Sequence, residues 1–232
     1  MHEGVLAAKS DLAALLTALE EDCGKFQLAG DVTPSEWLRL PDGEDAFHVV
    51  GKDGSSYFLD PSMVLTSNPD LAVSLSGKLA CSVAVAGAET VSGTFWLAIA
   101  EGGRLRRFHW NIQSTLKQAL DMGERLASET RIPVEDPDGR GLFACLEEAG
   151  FDVGVMTRPT AGGQKYAWAD FKLPPAGALI QAIKDHHSQF ARAGDDDWTK
   201  NIKAVARPDG GVDLRYVEPA AKGSLLKRLF RR

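Results

Sequence analysis

The stretch LACSVAVAGAETVSGTFWLAIAEGGRLRRFHW, residues 79–110, decides how this chain folds. Residues 79–86 alternate large and small side chains, residues 93–100 are rich in aromatic and branched residues, and residues 104–110 alternate again. These patterns are typical of β-strands. The link Glu101-Gly102-Gly103 is short and contains the glycine that a tight reversal needs. The stretch therefore predicts three consecutive antiparallel strands.

Helices are predicted on both sides of these strands. On the amino-terminal side, Ser10 is a candidate N-cap, leucines follow at helical spacing, and Gly24 is a natural stop. A hairpin is expected over residues 47–59, and Asn68-Pro69 opens a short helix. The helices expected on the carboxyl-terminal side cover residues 114–126 and a segment capped by Asp138 that ends at Gly150.

The last third of the chain is predicted to form a separate, smaller unit. Residues 158–164 have the composition of a linker, and the order beyond them is strand, helix, strand, strand. Helices and antiparallel strands are mixed without regular strand–helix alternation, which predicts the α+β class. We expect an α+β domain over residues 1–157, a β-α-β-β unit over 165–218 and a basic amphipathic tail over 219–232.

Composition and charge exclude several classes of protein. The 232 residues are 44% hydrophobic and 25% charged, as in an ordinary globular protein, and the net charge is -6. Residues 222–232 contain five basic and no acidic residues, which leaves 21 basic and 32 acidic residues in the remainder. This acidic body argues against specific nucleic-acid binding, because it repels phosphate.

The cysteines and the amino terminus predict a cytoplasmic protein. Cys23, Cys81 and Cys145 are odd in number and widely spaced, so we expect free thiols rather than a disulfide framework. Residues 1–16 do not have the pattern of a signal peptide. No apolar run approaches the ~18 residues of a membrane-spanning helix, so no transmembrane segment is predicted.

No motif predicts a metal ion or a cofactor. His186 and His187 are adjacent, whereas two helical ligands need a spacing of four residues. The run Asp195-Asp196-Asp197 does not have the alternating donors of a calcium loop, and residues 135–139 have only part of that pattern. We therefore expect neither a metal nor a cofactor.

Catalytic residues are also not evident from spacing. His109 could act as a base, but the sequence identifies no nucleophile as its partner, and Glu89 is the other candidate. The aromatic residues near it, Trp96 and Trp110, could form a recognition surface, although aromatic residues of a sheet more often lie in the core.

The carboxyl-terminal tail is the strongest candidate for a binding segment. Its apolar and basic residues fall on opposite faces of one short helix. Such a helix is too short to be stable alone, so it should fold against its own body, a partner or an anionic surface. The candidate partner-binding residues are Leu225, Leu226, Lys227, Arg228, Leu229, Phe230, Arg231 and Arg232.

Residues 88–152 carry a resemblance to a group of known proteins. The segments AETVSGTFWLAIAEGGRLRRFHWN and PVEDPDGRGLFACLEEAGFD are similar to uncharacterised bacterial proteins found beside secreted toxins, including immunity proteins. The motif that carries the likeness is an aromatic hairpin with E-x-G-x-x-x-R. The resemblance implies a small cytoplasmic protein that binds another protein and does no chemistry.

Taken with the residues themselves, these features predict a non-enzymatic protein-binding module of the bacterial cytoplasm. An acidic body suits a basic partner protein, because complementary charge accelerates association. Two alternatives stay open at this point. One is an unrecognised hydrolase or transferase that uses His109, and the other is a peripheral adaptor whose tail binds an anionic membrane or a secretion component.

Overall fold

The structure is a computed structural model that describes residues 2–37, 46–60, 63, 65–89, 93–112, 119–136, 138–157, 162–174, 176–191, 202–206 and 212–216. The chain divides into two compact units, Met1–Asp185 and His186–Arg232. The first unit contains one large antiparallel sheet with helices packed on it, which confirms the α+β class.

Nine strands form the sheet of the first unit, and every neighbouring pair is antiparallel. The strand order across the sheet is β2-β9-β3-β4-β1-β5-β6-β7-β8. The strands are β1 His2–Ala8, β2 Gly24–Val32, β3 Ala46–Lys52, β4 Ser55–Asp60, β5 Ser82–Glu89, β6 Thr94–Glu101, β7 Arg104–Ile112, β8 Leu120–Gly123 and β9 Gly163–Phe171.

The three strands predicted from residues 79–110 are β5, β6 and β7, paired in sequence order. The predicted hairpin is β3 and β4, joined through Asp53 and Gly54, which both have positive φ. Two consecutive residues with positive φ match the turn type that suits a two-residue hairpin.

The sequence did not predict β1, although it lies at the centre of the sheet between β4 and β5. Its residues Val5, Leu6, Ala7 and Ala8 are all buried, so both faces of the strand are apolar. A short continuous apolar run has no alternation to distinguish it from a helix or a loop. Strand β2 was also not predicted.

Helices cover both faces of the sheet. The helices are α1 Leu12–Cys23, α2 Pro34–Trp37, α3 Pro69–Leu79, α4 Arg140–Glu148, α5 Gly154–Thr157 and α6 Ala178–Ala191, with a 3-10 helix at Ala127–Thr130. On one face, here called the α1 face, α1, α3 and α6 bury Leu15, Leu75 and Leu179 against the sheet. On the other, the α4 face, α4 and α5 bury Leu146 and Met156.

The helix predicted over residues 114–126 is wrong in its described part. Residues 120–123 form β8, which pairs with β7 and places Asp121 opposite His109. Gly123 has φ of +82°, outside the helical region. The helical spacing of Leu116, Ala119 and Leu120 is only a local preference. The hydrogen bonds to β7 and the contact of Asp121 with the buried Arg107 stabilise the strand instead.

Two predicted helix caps are also corrected. Asp11, not Ser10, caps α1, because its carboxylate accepts a hydrogen bond from the Ala14 amide at 2.9 Å. Asp138 does not cap α4; Gly139 is the N-cap, with no hydrogen bond from a side chain. Gly24 ends α1 as predicted, with φ of +89°.

The segment predicted as a β-α-β-β unit, residues 165–218, lies partly in the first compact unit and partly in the second. The strand expected to open a separate unit at residue 165 is β9, which pairs with β2 and β3 inside the large sheet. The helix predicted to follow this strand is α6, Ala178–Ala191. In the second unit, β10 Ile202–Ala206 and β11 Val212–Tyr216 form an antiparallel pair. The proposed tail, 219–232, lies outside the described residues.

Candidate functional site

The binding segment that the sequence favoured, residues 225–232, lies outside the described residues.

The two residues of the enzyme hypothesis, His109 and Glu89, are described and are not brought together. Glu89 pairs with Thr94 of β6 whereas His109 pairs with Leu97, which puts them two strands and three residue steps apart. Strand geometry sets that separation at about 14 Å, and the alternation of side chains places them on opposite faces.

A buried charged cluster surrounds His109 on the α4 face. Its centre is Arg107, only 1% exposed, which binds both oxygens of Glu129 through Nε and Nη2 at 2.6 Å. Arg107 Nη1 also bonds Asp121 and the backbone carbonyls of Phe108 and Met122. Arg107 therefore ties β7 to β8 and to the 3-10 helix.

The surroundings of two carboxylates in this region, Asp121 and Glu135, favour their ionised forms. Partial burial opposes the charge on Asp121, but the guanidinium groups of Arg107 and Arg125 hold its pKa below the ordinary value. The contact with His109 lowers the pKa of Glu135 against the opposing effect of burial. Buried ion pairs of this kind persist only where their remaining donors and acceptors are also satisfied.

His109 itself is 4% exposed and contacts Glu135, whose Oε1 lies 2.9 Å from Nε2. The contact has the distance of an ion pair but not the geometry of a hydrogen bond, and neither ring nitrogen has a hydrogen-bond partner among the described residues. A thiol also lies in the core of this face: Cys145 Sγ is 3.7 Å from the Ser128 hydroxyl oxygen. Burial raises the pKa of Cys145 to about 11, so the thiol stays protonated and is a poor nucleophile.

All three cysteines are free, as expected. Trp96 is buried and its Nε1 donates to the Thr66 carbonyl at 2.7 Å, which makes it a core residue rather than part of a recognition surface.

A second feature lies at the opposite end of the sheet and was not foreseen. Phe26 of β2 packs edge-on against Phe47, Tyr166 and Trp168, with ring centroids 5.3 to 5.4 Å apart. Trp168 in turn contacts Phe171 at 4.9 Å. We call the row at the β2–β9 end the β2–β9 patch; its members are Phe26, Leu28, Tyr166, Trp168, Phe171 and Leu173.

The β2–β9 patch is the most exposed apolar surface among the described residues. Leu28 is 55% exposed, Phe171 39% and Leu173 71%, and Met122 on β8 is the one other exposed large hydrophobic side chain in the described ranges. Strand β2 is also an edge strand, which pairs with β9 on one side only in the part of the chain that is described. Its residues 27–31 are all exposed.

Charge adds a second property to this unit. Residues 1–185 hold 16 basic and 26 acidic residues, a net charge of -10, whereas residues 186–232 hold ten basic and six acidic residues. The first unit therefore carries more negative charge than the chain as a whole.

Three clefts in the first unit do not converge on His109. One, of about 30 Å³, lies between α4 and the sheet and is lined mainly by apolar residues. A second, of about 280 Å³, is lined by Arg106, Arg107, Arg125 and the acidic residues Glu124 and Glu148. A third, of about 400 Å³, opens beside β3 and β9. None of the three has His109 in its wall.

Within the described ranges, no group of three His, Cys, Asp or Glu side chains is arranged to hold a metal ion. The described helices are all too short or too polar to cross a membrane.

Comparisons with protein-family models, with curated proteins and with solved structures found no match to this chain.

The sequence contained signals for both features. In residues 25–28, Lys-Phe-Gln-Leu, apolar and polar side chains alternate as in a half-buried strand, and this pattern follows Gly24 directly. Arg107 shares with His109 the strand face opposite to that of Phe108, so the alternation places a charged and a titratable side chain together on one face of the strand. A buried arginine needs acidic partners, but sequence alone does not show which ones.

Proposed function

We propose that this chain is a non-enzymatic protein-binding module whose β2–β9 patch contacts a basic partner protein. The observation that carries the proposal is that three of the four exposed large hydrophobic side chains of the described residues, Leu28, Phe171 and Leu173, lie at one end of the sheet. Contiguous exposed apolar surface commonly marks an interaction site, and aromatic residues are enriched at such sites.

The acidic charge of the first unit supports a basic partner. A net charge of -10 on residues 1–185 attracts a positively charged protein over distances of about a Debye length, ~8–10 Å at physiological salt. The apolar patch then supplies the short-range contact. Association should accordingly slow as salt is added, while dissociation should depend on the apolar side chains.

The biological setting follows from the resemblance of residues 88–152 to proteins encoded beside secreted toxins. On that basis we propose an immunity or accessory protein of the bacterial cytoplasm. The basic amphipathic tail, residues 219–232, is proposed as a separate contact to an anionic surface, either a membrane or a secretion component.

Site-specific crosslinking tests the proposal and identifies the partner. A photo-reactive phenylalanine analogue replaces Leu28 or Leu173 in the full-length protein, expressed in its native host; the matched control replaces Glu147, an exposed residue of α4 on the other face. We expect one saturable adduct from positions 28 and 173 and none from position 147. The crosslinked protein, identified by mass spectrometry, should be basic.

The alternative hypothesis, a hydrolase or transferase that uses His109, gives a different result. It predicts no specific adduct at the β2–β9 patch and turnover that His109→Gln abolishes. Equal labelling at positions 28 and 147 would also contradict a patch-specific partner.

A further inference from the structure

The largest of the three clefts, of about 400 Å³, continues the β2–β9 patch along the same two strands. It lies where β2 and β3 end and β9 begins, beside Leu12 at the start of α1. Asp31 of β2 pairs with Gln164 of β9 in its wall, and Leu28 pairs with Tyr166 in the patch. The Tyr166 hydroxyl donates to Gln164 Oε1 at 3.2 Å, so the cleft, here called the Asp31 cleft, is joined to the patch.

A bulge in β2 places Asp31 on the same face of the sheet as the patch. In the pairing of β2 with β9, Ala29 is an extra residue with no residue opposite it. Without it, Leu28 and Asp31 would lie on opposite faces, because successive side chains of a strand alternate. The extra residue shifts the alternation, and Gln164, which pairs with Asp31, also pairs with Val49, a core residue of the α1 face. Bulges re-aim side chains in this way beside functional sites.

The local charge of this surface is negative. Asp31 is exposed and is the one charged residue among the described residues that line the cleft. Within the described ranges its carboxylate forms no ion pair. The nearest lysines in the two strands, Lys25 and Lys165, alternate with residues of the patch and therefore lie on the opposite face. A cation bound in the cleft would meet a carboxylate and no competing positive charge among these residues.

We propose that the Asp31 cleft binds an arginine side chain of the basic partner, while apolar residues beside that arginine cover the β2–β9 patch. This inference rests on the proposed function and names the partner residue that the surface selects. A guanidinium group donates several hydrogen bonds in one plane, so it can bond the Asp31 carboxylate and the second lone pair of Gln164 Oε1 together. Its aliphatic stem can lie along Leu28 and Tyr166.

The wall of the cleft suits arginine better than lysine. Gly51, Gly162 and Gly163 line it, and positions without side chains let a ligand approach the backbone closely. A planar group with five donors uses a carboxylate, an amide oxygen and nearby backbone at once, whereas the ammonium group of lysine is a compact point charge. Arginine is also enriched at the centres of protein interfaces.

Titration of the full-length protein with labelled peptides tests the arginine site. The probes are three fluorescein-labelled pentapeptides of sequence leucine-threonine-X-threonine-leucine, in which X is arginine, lysine or citrulline. Citrulline has the shape of arginine without its charge, and the leucines lie on the same side of an extended peptide as X. We expect the arginine peptide to bind at least about fivefold more tightly than the citrulline peptide and about threefold more tightly than the lysine peptide. Equal affinity for arginine and either replacement would overturn the proposal.

Two variants locate the arginine on the protein. Asp31→Asn should weaken binding of the arginine peptide by about fivefold and leave the citrulline peptide within about twofold. The matched control is Asp170→Asn, which removes an exposed carboxylate from the same end of the sheet on the face of Lys25. It should change the affinity of the arginine peptide by less than about twofold. Equal losses in the two variants would show a long-range effect of charge and would overturn the assignment to Asp31.

These results are separable from the test of the proposed function, which is the crosslinked adduct at position 28. A basic partner crosslinked there, together with peptides that bind equally, would leave the protein-binding function standing and remove the arginine site. Absence of a specific adduct would contradict the proposed function whatever the peptides show.

Discussion

At one end of the sheet, β7 and β8 are joined by Arg107, which lies under the 3-10 helix with Asp121 and Glu129 as partners. At the other end, β2 and β9 meet through aromatic rings, and no charged group of comparable burial is described there. The first end satisfies its polar groups internally. The second end leaves Leu28, Phe171 and Leu173 in contact with solvent.

The difference indicates that the two ends of the sheet have different roles, one in stability and one in binding. A buried ion-pair network fixes geometry but offers little surface to another molecule, because its donors and acceptors are already used. An exposed apolar surface adds little to the stability of the monomer and becomes useful only when a partner covers it. Stability should therefore depend on the β7–β8 end, and binding on the β2–β9 patch.

The largest expected effect is at Arg107. Arg107→Ala removes one of the two arginine partners of Asp121 and leaves the buried Glu129 carboxylate without its arginine, which should lower the free energy of unfolding by about 3–5 kcal/mol. Urea denaturation measures the loss. The control is Arg106→Ala, at an exposed arginine paired with Glu101, which should cost at most about 1 kcal/mol. Similar losses of unfolding free energy in both variants would mean that the ion pairs of Arg107 do not stabilise the β7–β8 end of the sheet.

The second effect concerns the edge strand β8. Gly123 has φ of +82°, and a Cβ there would collide with the Arg106 carbonyl. Gly123→Ala should therefore cost about 2–4 kcal/mol. Gly102→Ala also has positive φ but open space around it, so it should cost only about 1 kcal/mol. Thermal denaturation of the two variants separates the effect of the steric collision from that of the positive φ. Equal losses of stability would show that the backbone shifts to avoid the collision at Gly123.

An acid-side effect of intermediate size is expected at Glu135. Because its pKa is lowered in the folded protein, its ionised form contributes stability at pH above the ordinary Glu range, about 4.3, and that contribution is lost as pH falls. Glu135→Gln should make the unfolding free energy less dependent on pH below about 5. The control, Glu147→Gln on the exposed side of α4, should follow the wild type. A wild-type curve from Glu135→Gln would contradict the role given to this carboxylate.

The smallest effect on stability is expected at the β2–β9 patch. Leu28→Asp and Leu173→Asp change exposed side chains, so each should alter the free energy of unfolding by no more than about 0.5 kcal/mol. Phe47→Ala, at a buried ring stacked on Phe58, should cost about 3–5 kcal/mol and serves as the contrast. A large loss from Leu173→Asp would show that this side chain belongs to the core.

The sequence predicted the parts of the fold that depend on local patterns. Strands β5 and β7 are predicted by the alternation of their residues, β6 by its aromatic and branched residues, and α1 by leucines that share one face. Strand β1 was missed because burial on both faces removes alternation. Residues 120–123 have helical spacing in the sequence, which does not show that Asp121 binds Arg107 on another strand.

The same limit applies to the candidate sites. His109 was singled out from the sequence, but its partner Glu135 is 26 residues away and is brought to it only by the turn before α4. The β2–β9 patch joins residues from positions 26–28 and 166–173, which meet only because β9 returns to pair with β2. Contacts between distant segments leave no periodic signal in one sequence.

The most direct test of the account compares the two ends of the sheet in binding. The partner identified by crosslinking is titrated calorimetrically with the wild type, with Leu28→Asp, and with Met122→Asp, which places the same charge on an exposed side chain of the opposite edge strand. We predict that Leu28→Asp weakens binding by about 30-fold or more, equal to at least about 2 kcal/mol, while Met122→Asp stays within about threefold of the wild type. Equal weakening by both variants, or weakening by Met122→Asp alone, would contradict it.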